Sequence, residues 1–456
     1  MTRQWKITVV PRALLRRIGM IEIAVAIQLI SPALLMIPSM QALRMPIRVL
    51  QYGSSLGFLA FYYRRWLRNG WPPGGKLLVL CVALMLAALF SPGSVWAAGA
   101  AQIVFQLCIV APLFWAGAMV RDPERLRRLV WAVLLANALS AGVGLLQVYY
   151  PAQFLPREYS PDFRENLSML SYSGAGGREI VRPPGLTDTP GGAASAGLLC
   201  GLLGLVLATN PRERRAVRLF ALGCCLLGIT ILYLTFVRSL TLALLASFLA
   251  VSLVRNRRAP GMKFARVGVL AAAMVVLSFW IATAVGGEAV AQRFLDIPQT
   301  GVLETYNNSR GIFVKDAFTR LLPENPFGVG VGRWGMMCQY FCDFDDPGHP
   351  PLYAEIQLTG WIYDGGAPLL LAYLAALGAA LWYSFRIAAR HRDPEIAVMA
   401  KCILAVQICL VGTILGGPTF NTLLGSQFWL MAGALFGAAR GYARNVPAAG
   451  TKWEFS

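Results

Sequence analysis

The sequence predicts an all-α integral membrane protein, a bundle of about twelve transmembrane helices with its two long polar loops on the outer face. Three observations predict it. Of 456 residues, 57% are hydrophobic and only 14% charged, whereas a soluble globular domain carries about 25% charged residues. Apolar runs of the ~17–25 residues that cross a ~30 Å hydrocarbon layer recur from one end of the chain to the other. Lys and Arg fall on alternate connections between those runs, as positive-inside sorting requires.

The elements follow in order. Residues 18–40 form the first apolar run; no small-residue cleavage site follows, so it reads as a first span that doubles as a targeting signal. The second, 48–63, is short and ends on Arg64, Arg65 and Arg68. Runs 76–91 and 98–120 come next, and 129–149 follows the basic stretch Arg121 to Arg128. Residues 1–149 thus hold five spans. Residues 150–190 are rich in Pro, Gly, Ser and charge, and read as a first outer loop. Spans 191–209, 217–237, 239–254 and 267–286 occupy residues 191–286. A second outer loop, 287–365, is long enough to hold helices of its own. Spans 366–385, 398–416 and 420–439, with a cytoplasmic tail, complete residues 366–456.

Orientation comes from charge. With both termini in the cytoplasm, 29 of the 41 Lys and Arg lie on inner segments and 12 outside. The net charge of +19 is then a consequence of topology and does not call for a nucleic-acid partner. In a bacterium with two membranes this is a multi-pass inner-membrane protein whose outer loops are periplasmic. Seven of nine cysteines (Cys81, Cys108, Cys200, Cys224, Cys225, Cys402, Cys409) fall in spans, where Cys serves as a small hydrophobe. Cys338 and Cys342 lie outside. They can pair as a disulfide or, with His349, contribute to a metal site, and one C-x-x-x-C pair decides neither.

Loops much longer than 12–15 residues tend to be functional, so the chemistry is expected on the outer face. In the second loop, Asn307-Asn308-Ser309 is suited to cap a helix. Ile312/Phe313, Ala317/Phe318 and Leu321/Leu322 then form an apolar stripe that ends at Pro323. Lys315, Asp316, Thr319 and Arg320 occupy the other face, which predicts an amphipathic helix over 310–322 lying on the membrane or on the bundle. Arg310 sits in its first turn, against the helix dipole. Next comes Asn325-Pro-Phe-Gly-Val-Gly-Val-Gly-Arg-Trp. Without a preceding strand it is not a nucleotide-binding motif; its alternating glycines predict a tight loop that other backbone approaches closely.

Few outer residues can hold an anion or move a proton. Arg238, in Thr235-Phe-Val-Arg-Ser, stands at a tight outer turn between two spans and either snorkels or binds an anion. Arg182, in Arg182-Pro-Pro-Gly-Leu-Thr-Asp-Thr-Pro-Gly, and Arg178 precede the sixth span, and the planar Arg fork suits phosphate oxygens. His349 is the one histidine on the outer face, either a base near neutrality or an ordinary loop residue beside two prolines. Glu355 and Asp364, the latter at the mouth of the tenth span, follow it as candidate bases. His391 falls in the inner segment Arg390-His-Arg-Asp, where a solvated loop position is expected.

Taken in order, the turn arginine of Thr-Phe-Val-Arg-Ser, the Asn-Ser-Arg-Gly start of the outer helix, the Asn-Pro-Phe-Gly-Val-Gly-Val-Gly loop, and His349 followed by Gly360 resemble the O-antigen ligase and O-antigen polymerase superfamily. The resemblance covers about residues 180–390. It implies a GT-C-like membrane glycosyltransferase that acts on undecaprenyl-diphosphate-linked oligosaccharide at the periplasmic face, with no cofactor, nucleotide sugar or obligatory metal. Arg238 and Arg310 would bind the diphosphate and stabilise it as leaving group, and His349 would orient or deprotonate the acceptor hydroxyl. Arg182, Arg178, Glu355 and Asp364 would contact diphosphate or glycan. The acceptor is a second lipid-linked repeat in a polymerase, with a chain-length regulator as an optional partner, or lipid A core in a ligase. Pro350, where the family pattern leads one to expect a small polar residue, tilts the reading toward polymerase. A polysaccharide transporter or flippase would share span count and orientation. Transport calls for matched halves and membrane-buried ionisable groups; here the long loops follow the fifth and ninth spans, and Glu22 is the main ionisable group in a span.

Overall fold

A computed structural model describes residues 19–157, 171–173, 179–210, 212–254, 264–292, 301, 304 and 306–445. The described chain is helical nearly throughout; its only sheet is a two-stranded antiparallel hairpin, Ser171–Ser173 with Glu179–Val181. Among the described residues, six helices are long and apolar enough to cross a membrane: Trp96–Met119, Pro123–Tyr149, Arg215–Leu234, Gly268–Gly286, Gln357–Arg390 and Pro394–Leu415. Four shorter apolar ones are Met20–Met36, Gly75–Ala88, Ala193–Ala208 and Ser239–Ala250. Arg44–Asn69 and Leu423–Asn445 are long but more polar. Each of the twelve expected runs therefore coincides with a helix, six of which meet the length and apolarity of a span by themselves.

The exterior identifies the solvent. Val269, Val276, Trp280, Leu242, Leu249 and Leu371 point outward from their helices. Apolar stripes of this extent are stable only against hydrocarbon, which makes this a membrane protein. The interior is centred on Ala193–Ala208, a helix apolar on every side and buried along almost its whole length. Against lipid no hydrophobic force draws helices together, so close packing through small residues does. A Cβ added at Gly228 would lie 2.5 Å from the carbonyl oxygen of Gly197, and one at Gly204 2.6 Å from that of Ala221. Only hydrogen atoms fit in these contacts between Ala193–Ala208 and Arg215–Leu234.

Several expectations change. The tenth helix begins at Gln357, so residues 357–364 are helix and not loop; the helix breaks at Gly365 and Gly366 (φ 61°) just before Pro368. Pro368 has no N–H and its ring excludes a regular turn before it, which accounts for the kink. The outer amphipathic helix runs over 307–324, and Tyr306 is already helical, so Asn307 to Ser309 do not cap it. Two turns, Asn307–Gly311 and Ala317–Leu321, have i→i+5 bonding. Each wide turn shifts the helix phase, leaving Ala317 and Leu321 buried but Ile312 and Phe318 exposed. His391 is buried rather than solvated: its ring meets Tyr442 edge-on and its Nδ1 accepts from the Asp393 N–H. Glu22 caps the start of its own helix, its side chain accepting from the Gly19 N–H at 2.9 Å. Cys338 and Cys342 are joined as a disulfide across one helical turn, which removes both thiolates from any metal site.

Candidate functional site

The glycine loop is the frame of the region that holds most of the expected site residues. The break in Gln357–Arg390 frees the Tyr363 carbonyl, which accepts from the N–H groups of Val329 and Gly330 at 2.8 and 3.1 Å, and the Ala367 N–H, which donates to Pro326 at 2.8 Å. On its other side the Val331 carbonyl accepts from the Val95 N–H, and the Val331 N–H donates to Ser94 Oγ at 2.9 Å. Gly328, Gly330 and Gly332 all have positive φ, and a Cβ on any of them would strike backbone within 2.7 Å. The alternating glycines thus do what their spacing predicts: they let the loop lie between the 91–95 turn and the kinked helix.

Asp364 locks that frame. It is 2% exposed and accepts from Trp334 Nε1 at 2.9 Å and Gln102 Nε2 at 2.6 Å. Its oxygens are thus committed to joining loop and helices in the interior. Arg333, also buried, donates through Nε and Nη2 to the Pro350 carbonyl (3.2 and 2.8 Å), while its own carbonyl accepts from the Leu352 N–H.

His349 is thereby held at the frame's edge. Asp346 Oδ2 lies 2.9 Å from its Nδ1, and the Pro92 carbonyl 3.0 Å from its Nε2. Both neighbours accept, so the arrangement is complete only when both ring nitrogens carry protons. The Pro92 carbonyl and the Asp346 carboxylate accordingly raise the imidazole above its ordinary value. Both ring nitrogens of His349 are thus engaged in this arrangement.

A second gathering point is the 413–421 connection before the last helix. Gln357 binds it twice, its N–H to the Gly417 carbonyl and its Oε1 from the Phe420 N–H. The Tyr306 hydroxyl donates to the Leu415 carbonyl at 3.2 Å. A Cβ on Gly416 would stand 3.4 Å from that of Ser239. Three segments distant in sequence, the start of the Arg238–Ser252 helix, residues 306–310 and residues 355–357, therefore share one neighbour. Arg310 and Glu355 form an ion pair here, with Glu355 more buried than Arg310. Burial raises the Glu355 carboxyl above its usual range, opposed by the attraction of Arg310.

The turn before Arg238 is strained. Phe236 has φ 62°, a conformation that costs a non-glycine residue ~1–3 kcal/mol. Tyr172 of the hairpin secures it, its ring against Phe236 and its hydroxyl donating to the Leu234 carbonyl at 3.1 Å. Arg182 emerges from the other hairpin strand beside Tyr172. Its Nε is buried without a hydrogen-bond partner among the described residues, and burial lowers its pKa. Of the expected site residues, then, Arg310 and Glu355 are brought to the 413–421 connection and Arg182 to the adjoining turn, while the helix that begins at Arg238 starts beside that connection and the Arg238 side chain falls outside the described residues. His349 lies on the neighbouring frame, Asp364 lies beneath it, and Arg178 falls outside the described residues.

Sequence reasoning missed Arg44, Arg48 and Asp188. Arg44 Nε and Arg48 Nη2 each lie 3.0 Å from the buried Asp188 carboxylate. The available signal was the i,i+4 spacing of the two arginines on one face of Arg44–Asn69. Arg333 was also missed, because no local pattern announces a carbonyl 17 residues away as its partner. Compared with known proteins, the chain matches no family model and no curated protein.

Proposed function

We propose that this protein is a membrane glycosyltransferase that polymerises lipid-diphosphate-linked glycan repeats at the outer leaflet of a bacterial inner membrane. The observation that carries this reading is the meeting of the Arg238 turn with the Arg310 helix on the 413–421 connection. Two arginines from distant parts of the chain, on the side opposite the basic inner segments, suit a diphosphate whose negative charge grows as the glycosidic bond to it breaks. Undecaprenyl diphosphate is the carrier that the sequence resemblance implies. His349, held by Asp346 and Pro92, would orient the incoming hydroxyl by releasing one of these two partners.

Other observations agree. A disulfide between Cys338 and Cys342 belongs to an oxidising compartment, as a periplasmic loop requires. Glu22, the ionisable group that a transporter reading would need, is used as a helix cap. The test is transfer of radiolabelled lipid-linked repeats by purified variants. Arg238→Ala and Arg310→Ala are expected to lose transfer while expressing and inserting normally, and Arg386→Ala, on the inner side, is expected to retain it. Full activity in either outer variant would overturn the arginine roles. Growth of a repeat chain marks a polymerase, and transfer only to lipid A core would mark a ligase.

A further inference from the structure

Arg310 meets the fold already occupied. Its guanidinium is paired with Glu355, two residues before the Gln357 that anchors the 413–421 connection. Among the described residues, Arg310 is the charged group that acts on Glu355. His349, by contrast, faces Asp346, Arg333 and the Pro92 carbonyl, and both its nitrogens are engaged by acceptors. A diphosphate arriving at Arg310 competes with a single carboxylate, and offers more charge and more oxygen atoms for the same guanidinium.

We propose that Glu355 is the general base of the transfer reaction and that Arg310 restrains it until the donor diphosphate displaces it. The inference rests on the glycosyltransferase reading above. In the resting protein Arg310 neutralises Glu355. When a lipid-diphosphate-linked glycan binds, Arg310 turns to the diphosphate, and the carboxylate is left half-buried without its cation. Loss of that attraction strengthens it as a base. The acceptor hydroxyl then gives its proton to Glu355 as its oxygen bonds to the anomeric carbon of the donor sugar. The bond from that carbon to the phosphate oxygen breaks, and its electron pair leaves with the lipid diphosphate, held by Arg310 and Arg238. One proton moves, one bond forms and one breaks, and no further reactant is needed. Base strength thus appears only once a donor is in place, which protects the resting site from idle proton transfer.

The experiment uses full-length protein in detergent, with inorganic pyrophosphate as binding probe and lipid-linked repeats as substrate. Glu355→Gln removes the base but also frees Arg310. The expected result is a kcat lower by roughly 10²–10⁴-fold, with pyrophosphate bound more tightly than by wild type and the acidic limb of the pH profile gone. A purely structural ion pair would instead weaken binding, raise KM and leave kcat and the pH profile in place, and that result overturns the proposal. Should Glu355→Gln fail to fold, Glu355→Asp decides: a lower kcat with the acidic limb retained supports a base, and an unchanged kcat overturns it. His349→Gln must keep the acidic limb; its loss there would assign the base to His349. Wild-type protein that neither binds pyrophosphate nor forms a glycosidic bond refutes the glycosyltransferase reading itself, a result distinct from an active wild type with an equally active Glu355→Gln.

Discussion

Replacing Gly330 by alanine tests whether the glycine loop is the frame on which the outer site is built. Gly330 has φ 130°, and a Cβ there would lie 2.5 Å from Gly93 C and 2.6 Å from Ser94 N. Ordinary carbon contacts begin near 3.4 Å, so the 91–95 turn and the loop would have to separate by most of an ångström. The positive φ costs an L-residue ~1–3 kcal/mol, and forcing atoms into a packed region costs a further ~1–3 kcal/mol. Together they predict a destabilisation of about 2–6 kcal/mol. Gly223→Ala is the matched control: it lies within Arg215–Leu234, is exposed, and its Cβ would meet nothing within 4 Å. It should be neutral or stabilising by up to ~1 kcal/mol. Unfolding both variants by SDS titration in mixed micelles gives the comparison. Wild-type stability for Gly330→Ala, or a larger loss for Gly223→Ala, would refute the close-approach argument.

Further outcomes follow from the same contacts. Asp364→Ala strands two buried donors, on Trp334 and Gln102, and at ~1–3 kcal/mol for each should lower stability by about 2–6 kcal/mol in the same titration; Asp364→Asn, which keeps one acceptor oxygen, should lose less. The His349 contacts should be pH-dependent. Because the folded-state value is raised above 6.5, the stabilisation is complete below that ordinary value and is lost as pH climbs through the raised one. Hydrogen exchange in the 346–352 segment, corrected for intrinsic rates, should therefore quicken as pH rises above 6.5 in wild type, and show no such step in His349→Gln. Cys338 and Cys342 should resist alkylation until reduced and then react together, as mass spectrometry of the peptide would show; labelling without reductant would contradict the bond.

Much of the fold was legible because a membrane constrains sequence so strongly. Each apolar run coincides with a described helix, and six of these helices are long and apolar enough to cross a membrane. What was not legible depended on tertiary partners. Nothing local in residues 357–364 says helix, since those residues are buried by the glycine loop that their kink receives. The stripe at 310–322 was read with a uniform period, and two wide turns rotated Ile312 and Phe318 out of it. The candidate residue types, arginines, a histidine and carboxylates, can be named from the sequence, but how the fold divides them cannot. Asp364 and Glu355 look alike in sequence, yet one is enclosed by Trp334 and Gln102 while the other meets Arg310. His391 shows the same limit, since Tyr442 buries a histidine that its basic neighbours place in solvent.

The central claim is that the outer arginines and the residues around them serve glycosyl transfer from a lipid diphosphate. Purified wild-type protein mixed with radiolabelled lipid-diphosphate-linked repeats tests it most directly. The account predicts a ladder of products one repeat apart with release of free lipid diphosphate, both abolished in Arg310→Ala. Absence of any new glycosidic bond, with a second repeat or with lipid A core as acceptor, would contradict it.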